Sequence, residues 1–346
     1  MQKWFMCVCL AAFSCSSAIA EDARRNVLLI ISDDLNNLLG CYGDPQVKTP
    51  NIDRLATRGV LFNKAYCSFP LCGPSRNSLL TGLYPNSTGI HANGQVFRQT
   101  IPKQLNMPQA FRQQAYFAAR IGKLYHYNVP NSIGTNGHDD PGSWEMELNP
   151  AGVDRLEEHP HIFSLIENQF GGTLSWYASP KSAEHHTDAL MANDADWVLE
   201  RCAREKQRPF FLAVGFFRPH TPYVAPKSPY FDMYKVSEMP VVQVTRGGRR
   251  RDAKNGNEVD GPFFGYSLRT PRWRYTEWDG GDAGRELYDH DNDPRELTNL
   301  AENDEHNAAR EELAVALKDA VASALPPDGK IPELQPGTWA PLLVDP

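Results

Sequence analysis

Two continuous apolar runs, Val27-Leu28-Leu29-Ile30-Ile31 and the stretch 209–217, constrain the fold of this chain more than any other feature. A strand with one wet face alternates apolar and polar residues. A strand apolar throughout is buried on both faces, the condition of strands in a parallel sheet covered by helices. The runs end in Ser32-Asp33-Asp34 and Arg218-Pro219-His220, and α/β sheets place their ligands at the carboxyl ends of such strands. Between them the spacing predicts helices over 51–58, 74–81, 102–113 and 183–204, and a strand from 116 to 122. In the first helix Asn51 suits the cap, Ile52, Leu55 and Ala56 share a face, and Gly59 closes it. Past residue 257, segments 265–270 and 273–278 read as a hairpin around Pro271, 286–294 as a strand end and turn, and 305–325 as an amphipathic helix. The expected fold class is α/β: a mostly parallel central sheet flanked by helices, with a small C-terminal α+β subdomain.

The chain opens like a secretory leader. Lys3 is the positive start, 4–13 the apolar stretch, and Ala18-Ile19-Ala20 a small-residue cleavage site, which predicts a secreted or periplasmic protein. In a eukaryote a lysosomal-type compartment would fit equally. The apolar stretch is too short to span a bilayer. Residues 21–240 then read as the main domain, 241–256 as a basic, solvated junction loop bearing Arg249-Arg250-Arg251, and 257–346 as the subdomain. Beyond the leader the cysteines are Cys41, Cys67, Cys72 and Cys202. They form no disulfide framework, although a single Cys41–Cys67 bridge stays open. The net charge of −7 gives no support to nucleic acid as a partner.

The chemistry concentrates at Cys72-Gly73-Pro74-Ser75-Arg76, followed by Asn77-Ser78-Leu79-Leu80-Thr81-Gly82. Four fixed positions of the pattern Cys-x-Pro-Ser-Arg arise by chance about once in 10^5 starts at average residue usage. This pattern resembles the signature at which sulfatases oxidise a cysteine to formylglycine. Asn26 to Leu35, Leu39-Gly40-Cys41-Tyr42-Gly43-Asp44, Thr49-Pro50-Asn51-Ile52-Asp53, Gly122-Lys123-Leu124-Tyr125-His126, Arg218-Pro219-His220-Thr221-Pro222-Tyr223 and the segments 265–278 and 286–294 extend the resemblance over nearly the whole chain. The nearest likeness is to the iduronate-2-sulfatase-like branch, which implies an alkaline-phosphatase-like fold.

The resemblance implies a sulfuric ester hydrolase acting on a sulfated carbohydrate, such as an iduronate-2-sulfate-type sugar. A maturation enzyme, formylglycine-generating or equivalent, would convert Cys72 to the aldehyde. Once hydrated, the aldehyde carries two hydroxyls: one attacks sulfur, and the other collapses to expel sulfate. Arg76 would hold the nucleophile's oxygens, Lys123 and His126 would bind the sulfate and the aldehyde hydroxyl, and His220 would donate to the leaving oxygen. Asp33, Asp34 and the converted Cys72 would ligate one calcium ion, with magnesium as the alternative. Taken without the family, paired aspartates are also ordinary caps, Lys123 and His126 a basic pair on a loop, and His220 a surface histidine.

Two departures stand out. Leu83 occupies a position where the signature often ends in arginine. The chain also contains no Asp-His-Gly, whereas the family carries a Ser-Asp-His-Gly segment with two further metal ligands and a sulfate-gripping lysine. Neither Asp289-His290-Asp291-Asn292-Asp293 nor His138-Asp139-Asp140 is expected to replace it, because short motif matches without context are usually false. A protein that binds sulfated glycan without turnover, and a phosphonate or phosphate monoester hydrolase, are the competing readings.

Overall fold

The computed structural model describes residues 24–239 and 264–330. The leader expected over 1–20 and the junction expected over 241–256 lie outside the described residues. Strands run at β1 Val27–Ser32, β2 Phe117–Gly122, β3 Met146–Leu148, β4 Phe163–Ser164, β5 Ser175–Ser179, β6 Phe210–Phe216, β7 Tyr223–Pro226, β8 Gly265–Arg269, β9 Trp273–Trp278 and β10 Gly284–Asp289. The longer helices are α1 Pro50–Ala56, α2 Cys72–Thr81, α3 Met107–Gln113, α4 Thr187–Glu205 and α5 Asn307–Ser323.

The central sheet has the order β1-β6-β2-β3 and is parallel throughout. β6 is apolar on both faces, and β2 is apolar apart from Arg120, because each face meets a layer of its own. Ala119, Ile121, Leu212 and Val214 pack against Met191 and Val198 of α4. Their chain neighbours Ala118, Phe211 and Ala213 pack the other way, with Leu124, Trp144 and Phe111 of α3. β1 keeps this pattern on one side only. Val27, Leu29 and Ile31 join the second layer, whereas Leu28 and Ile30 are 45% and 55% exposed. Among the described residues β1 pairs with β6 and with no other strand.

The C-terminal subdomain is a three-stranded antiparallel sheet, β10-β9-β8. Tyr275, Leu287 and Ala301 pack with Leu313 and Leu317 of α5 to form its core, so the α+β expectation holds. It meets the main domain beside α2, where Asn86 donates to Tyr266 Oη at 2.9 Å and Ser87 Oγ donates to the Ala324 carbonyl at 2.7 Å. A second small sheet, β4-β5-β7, lies just beyond β6.

Three expectations are corrected. The N-cap position of α1 is Thr49 rather than Asn51, because Pro50 takes the first helical position, where its missing N–H costs nothing. α3 starts at Met107 rather than near residue 102, because Asn106 and Gln109 form a reciprocal capping box at that point. The Cys41–Cys67 bridge that the sequence left open is not made: Cys41, Cys67, Cys72 and Cys202 are all free thiols. No helix among the described residues is long and apolar enough to cross a membrane.

Candidate active site

The carboxyl ends of β1, β2 and β6 converge on the first residue of α2, which is Cys72. A helix N-terminus presents unpaired N–H groups and a positive dipole end, so an anion is stabilised there. The Gly73 N–H is already taken: it donates to Asn93 Oδ1 at 2.8 Å. A side chain at residue 73 would meet the Asn93 and Ala92 backbone at 3.1 and 3.2 Å, so a glycine lets this segment lie close against α2. Asn93 carries no pattern in the sequence that points to this role.

One turn into the helix, Arg76 is buried. It donates from Nη1 to the Lys123 carbonyl at 2.7 Å and from Nη2 to Asp33 Oδ1 at 2.6 Å. Lys123 is fully buried, and its Nζ lies 2.5 Å from Asp33 Oδ2. Asp33 therefore holds a cation on each carboxylate oxygen. Burial works to raise its pKa, but Arg76 and Lys123 outweigh it and hold the carboxyl at about 2. Burial likewise pushes the Lys123 ammonium down, with Asp33 opposing.

Two glycines make room for this lysine. The Lys123 N–H donates to the Gly215 carbonyl at 2.8 Å. A Cβ on Gly215 would lie 1.9 Å from the Lys123 carbonyl oxygen. Gly122 turns the chain with φ +72°, a conformation that glycine adopts freely.

The adjacent aspartates separate sharply. Asp33 points inward, while Asp34 adopts φ 58° and is half exposed. An aspartate tolerates this left-handed conformation better than most residues. Its Oδ1 lies 4.0 Å from Cys72 Sγ and its Oδ2 lies 3.7 Å from His220 Nε2. Ligand atoms of Asp34, Cys72 and His220 all fall within 4.8 Å of one another. Burial pushes the Cys72 thiol up from its ordinary value, although Lys123 pulls it down.

His220 is buried, and its Nδ1 is 2.5 Å from the Thr221 carbonyl oxygen. That contact assigns the proton to Nδ1 and leaves the Nε2 lone pair facing Asp34 and Cys72. Desolvation, followed by the Lys123 charge, lowers its pKa, which keeps the ring neutral. The turn that carries it is tied down by residues that sequence reasoning missed. Half-buried Asp188 accepts the Phe217 and Arg218 N–H groups, both at 3.0 Å. Arg218 Nη2 donates to Asp154 Oδ2 at 2.8 Å, and Asp154 Oδ1 accepts from Thr187 Oγ1 at 2.7 Å. The arginine of Arg-Pro-His was the one visible signal for this network.

His126 lies in the same region, packed beside His138 with ring centroids 5.6 Å apart. Burial, with Lys123 and His138 adding to it, lowers its pKa to about 3.

Among the described residues the donors gathered at the site do not fit calcium, which takes about six to eight oxygens. Both oxygens of Asp33 are held by cations, and the groups gathered around Asp34 are a thiol and an imidazole. Of the expected ligand trio Asp33, Asp34 and Cys72, the last two lie together with His220 beside them, while Asp33 faces Arg76 and Lys123. The spare acidic clusters bring nothing to the site. Asp289 is clamped by Arg272 at 2.7 Å, Asp140 by Arg98 at 2.6 Å, and Asp139 by the buried Arg120.

Residues 25–300 match the family model described as Sulfatase. The chain belongs to the sulfatase family. It is 33% identical to a sulfatase of Formosa agariphila, covering 68% of this chain and 48% of that protein. It is 32% identical to the iduronate 2-sulfatase of Homo sapiens, covering 64% and 40%. The chain thus spans less than half the length of these relatives. Among solved structures, the phosphonate monoester hydrolase of Agrobacterium radiobacter superposes with TM-score 0.61 over 87% of this chain and 96% of that one, at 18% identity. A 2-O GAG sulfatase superposes with TM-score 0.54 over 92% and 100%, at 16% identity. At such identities the likeness is one of fold, and it agrees with the alkaline-phosphatase-like α/β architecture expected for a sulfatase.

Proposed function

We propose that this sulfatase hydrolyses sulfate esters of a carbohydrate through a formylglycine made from Cys72, and that it acts outside the cytoplasm after loss of its leader. The observation that carries the reading is the position of Cys72. It opens α2, with buried Arg76 and Lys123 behind it and His220 Nε2 facing it. Arg76 and Lys123 set two positive charges against the carboxylates of Asp33 and Asp34, which brings cations to the side from which an anionic group would be held. An iduronate-2-sulfate-type sugar is the substrate class we favour, from the relatives' names.

Neutral His220 takes the proton of one aldehyde-hydrate hydroxyl as its oxygen bonds to sulfur. The bond between sulfur and the sugar oxygen breaks, and the imidazolium returns the proton to that oxygen. The ring then accepts the proton of the remaining hydroxyl. The carbonyl re-forms, the bond from its carbon to the sulfated oxygen breaks, and sulfate leaves; the ring then releases its proton to solvent, and a water adds to the aldehyde to restore the hydrate. His220 is thereby an acceptor first and a donor second, where the sequence suggested a donor alone. His126, held neutral, offers a hydrogen bond rather than a charge to the sulfate or the hydrate. Calcium or magnesium would need oxygen donors beyond residues 33 and 34, and no step here passes through either ion.

That shortage of donors favours one second reading, a sulfatase-derived protein that binds sulfated glycan without turning it over. Peptide mass spectrometry of the segment around residue 72, together with aryl sulfate turnover in the presence and absence of chelator, separates the two. Aldehyde at residue 72 with turnover supports hydrolysis; aldehyde without turnover supports the binder. Unmodified thiol after expression with a maturation enzyme overturns the hydrolytic reading.

A further inference from the structure

A hollow of about 720 Å³ opens on the flank of the main domain beside α3. No residue assigned to the catalytic centre lines it. One end lies at the amino edge of the central sheet. Arg208 stands there two residues before β6, and the N–H of Glu145 donates to the Ala118 carbonyl near the start of β2. Cys72 stands at the carboxyl edge, and the length of β2 separates the two edges by about 20 Å at the usual rise of a strand.

Four cations border the hollow, in a protein whose net charge is −7: Arg98, Lys103, Arg112 and Arg208. Two of them are neutralised. Arg98 Nη2 pairs with Asp140 at 2.6 Å, and Arg208 Nη2 pairs with Glu145 at 2.5 Å. Lys103 is exposed, and Arg112 gives a hydrogen bond from Nη1 to the Gly142 carbonyl; neither meets a carboxylate among the described residues. Their two charges stay uncompensated, one a compact ammonium and the other a planar fork suited to an oxyanion. The rest of the lining suits a sugar. The amides of Gln109 and Gln113 can meet hydroxyls, and Leu105, 42% exposed, offers apolar surface to the C–H face of a ring. No aromatic ring lines the hollow, so it lacks the stacking platforms on which nucleic acid is held. Its volume falls in the range of about 300–1,000 Å³ typical of organic ligands, far larger than one inorganic anion needs. We propose that this hollow is a second saccharide site, remote from the catalytic centre, which holds a sulfated sugar unit through Lys103 and Arg112. The choice of sulfate among oxyanions rests on the substrate class proposed above; the presence of an anionic-saccharide site does not.

The test uses the full chain, made without a maturation enzyme so that no ligand is consumed, and a dextran tetrasaccharide in sulfated and unsulfated form. The sulfated form should slow amide hydrogen exchange over residues 101–113. The unsulfated form should not, nor should inorganic sulfate at equal sulfate concentration. In Lys103→Ala/Arg112→Ala the same protection should require about tenfold more ligand, the change expected from losing one charge-assisted hydrogen bond. Circular dichroism establishes that the variant is folded. If it is not, Lys103→Glu, a change on an exposed side chain, supplies the same comparison. Small aryl sulfates do not reach the hollow, so the converted wild type and the folded variant should turn them over equally. Converted wild type that turns over nothing would sink the hydrolytic reading and leave the exchange result standing. Protection unchanged in the variants, protection confined to the segments around residues 72 and 123, or equal protection by inorganic sulfate would each overturn the proposal.

Discussion

Asp33 and Asp34 are indistinguishable as letters, and the molecule gives them opposite tasks. Asp33 spends its charge holding Arg76 and Lys123 in the interior, whereas Asp34 turns out toward Cys72 and His220. That division was illegible in the sequence because it depends on one left-handed backbone conformation and on a lysine 90 residues away. The candidacy of Cys72, Lys123 and His220 was legible, since each sits in a segment that resembles the family's, and the structure brings the three to one place. His126 permits a test at this scale. Its folded-state pKa of about 3 lies below the ordinary 6.5. Between those values the unfolded chain binds a proton that the native protein refuses, so stability must fall as pH drops through that window. Each pH unit fully inside it costs about 1.4 kcal/mol per such histidine. Denaturant unfolding followed from pH 7 to pH 4 should show this slope. His126→Gln should flatten it without removing it, because His91, His159 and His220 are also depressed. An unchanged slope in the variant would contradict the assignment.

Among the elements, β1, β2 and β6 could be read because each leaves an apolar run, continuous in β1 and β6 and broken only by Arg120 in β2, although β1 turned out to be covered on one face alone. The strands β3, β4, β5 and β7 could not: they are two to five residues long and carry no such run. Helix starts were misplaced where side-chain chemistry rather than periodicity decides them, as at Asn106. The junction of β2 and β6 offers the sharpest test of an element. Replacing Gly215 by Ala puts a methyl group against the Lys123 backbone, so the end of β2 must shift. We expect Gly215→Ala to destabilise the fold by about 1–3 kcal/mol, the usual cost of overpacking, and to lower aryl sulfate turnover far more than thermal stability alone explains. Urea denaturation and steady-state kinetics on the same preparation measure both. Full activity would show that Lys123 tolerates displacement.

Taken as a whole, the molecule is a parallel α/β layer with an antiparallel cap docked beside α2. Both parts were legible in the sequence, down to the hairpin of β8 and β9. The hydrogen bonds that fix the cap to residues 86 and 87 had no sequence signature. The flank of β1 that no other strand covers among the described residues has a consequence in solution. Its unpaired backbone groups, with Leu28 and Ile30 beside them, can recruit a strand from another molecule. Sedimentation and light scattering should therefore report particles that grow as the protein is concentrated and shrink on dilution. Ile30→Lys, which places a charge on that flank, should hold the protein at the mass of one chain. If wild type stays at that mass across the same range, the flank is inert. Otherwise, how much protein a cell or a column can carry is set less by the melting temperature than by how crowded the molecules are.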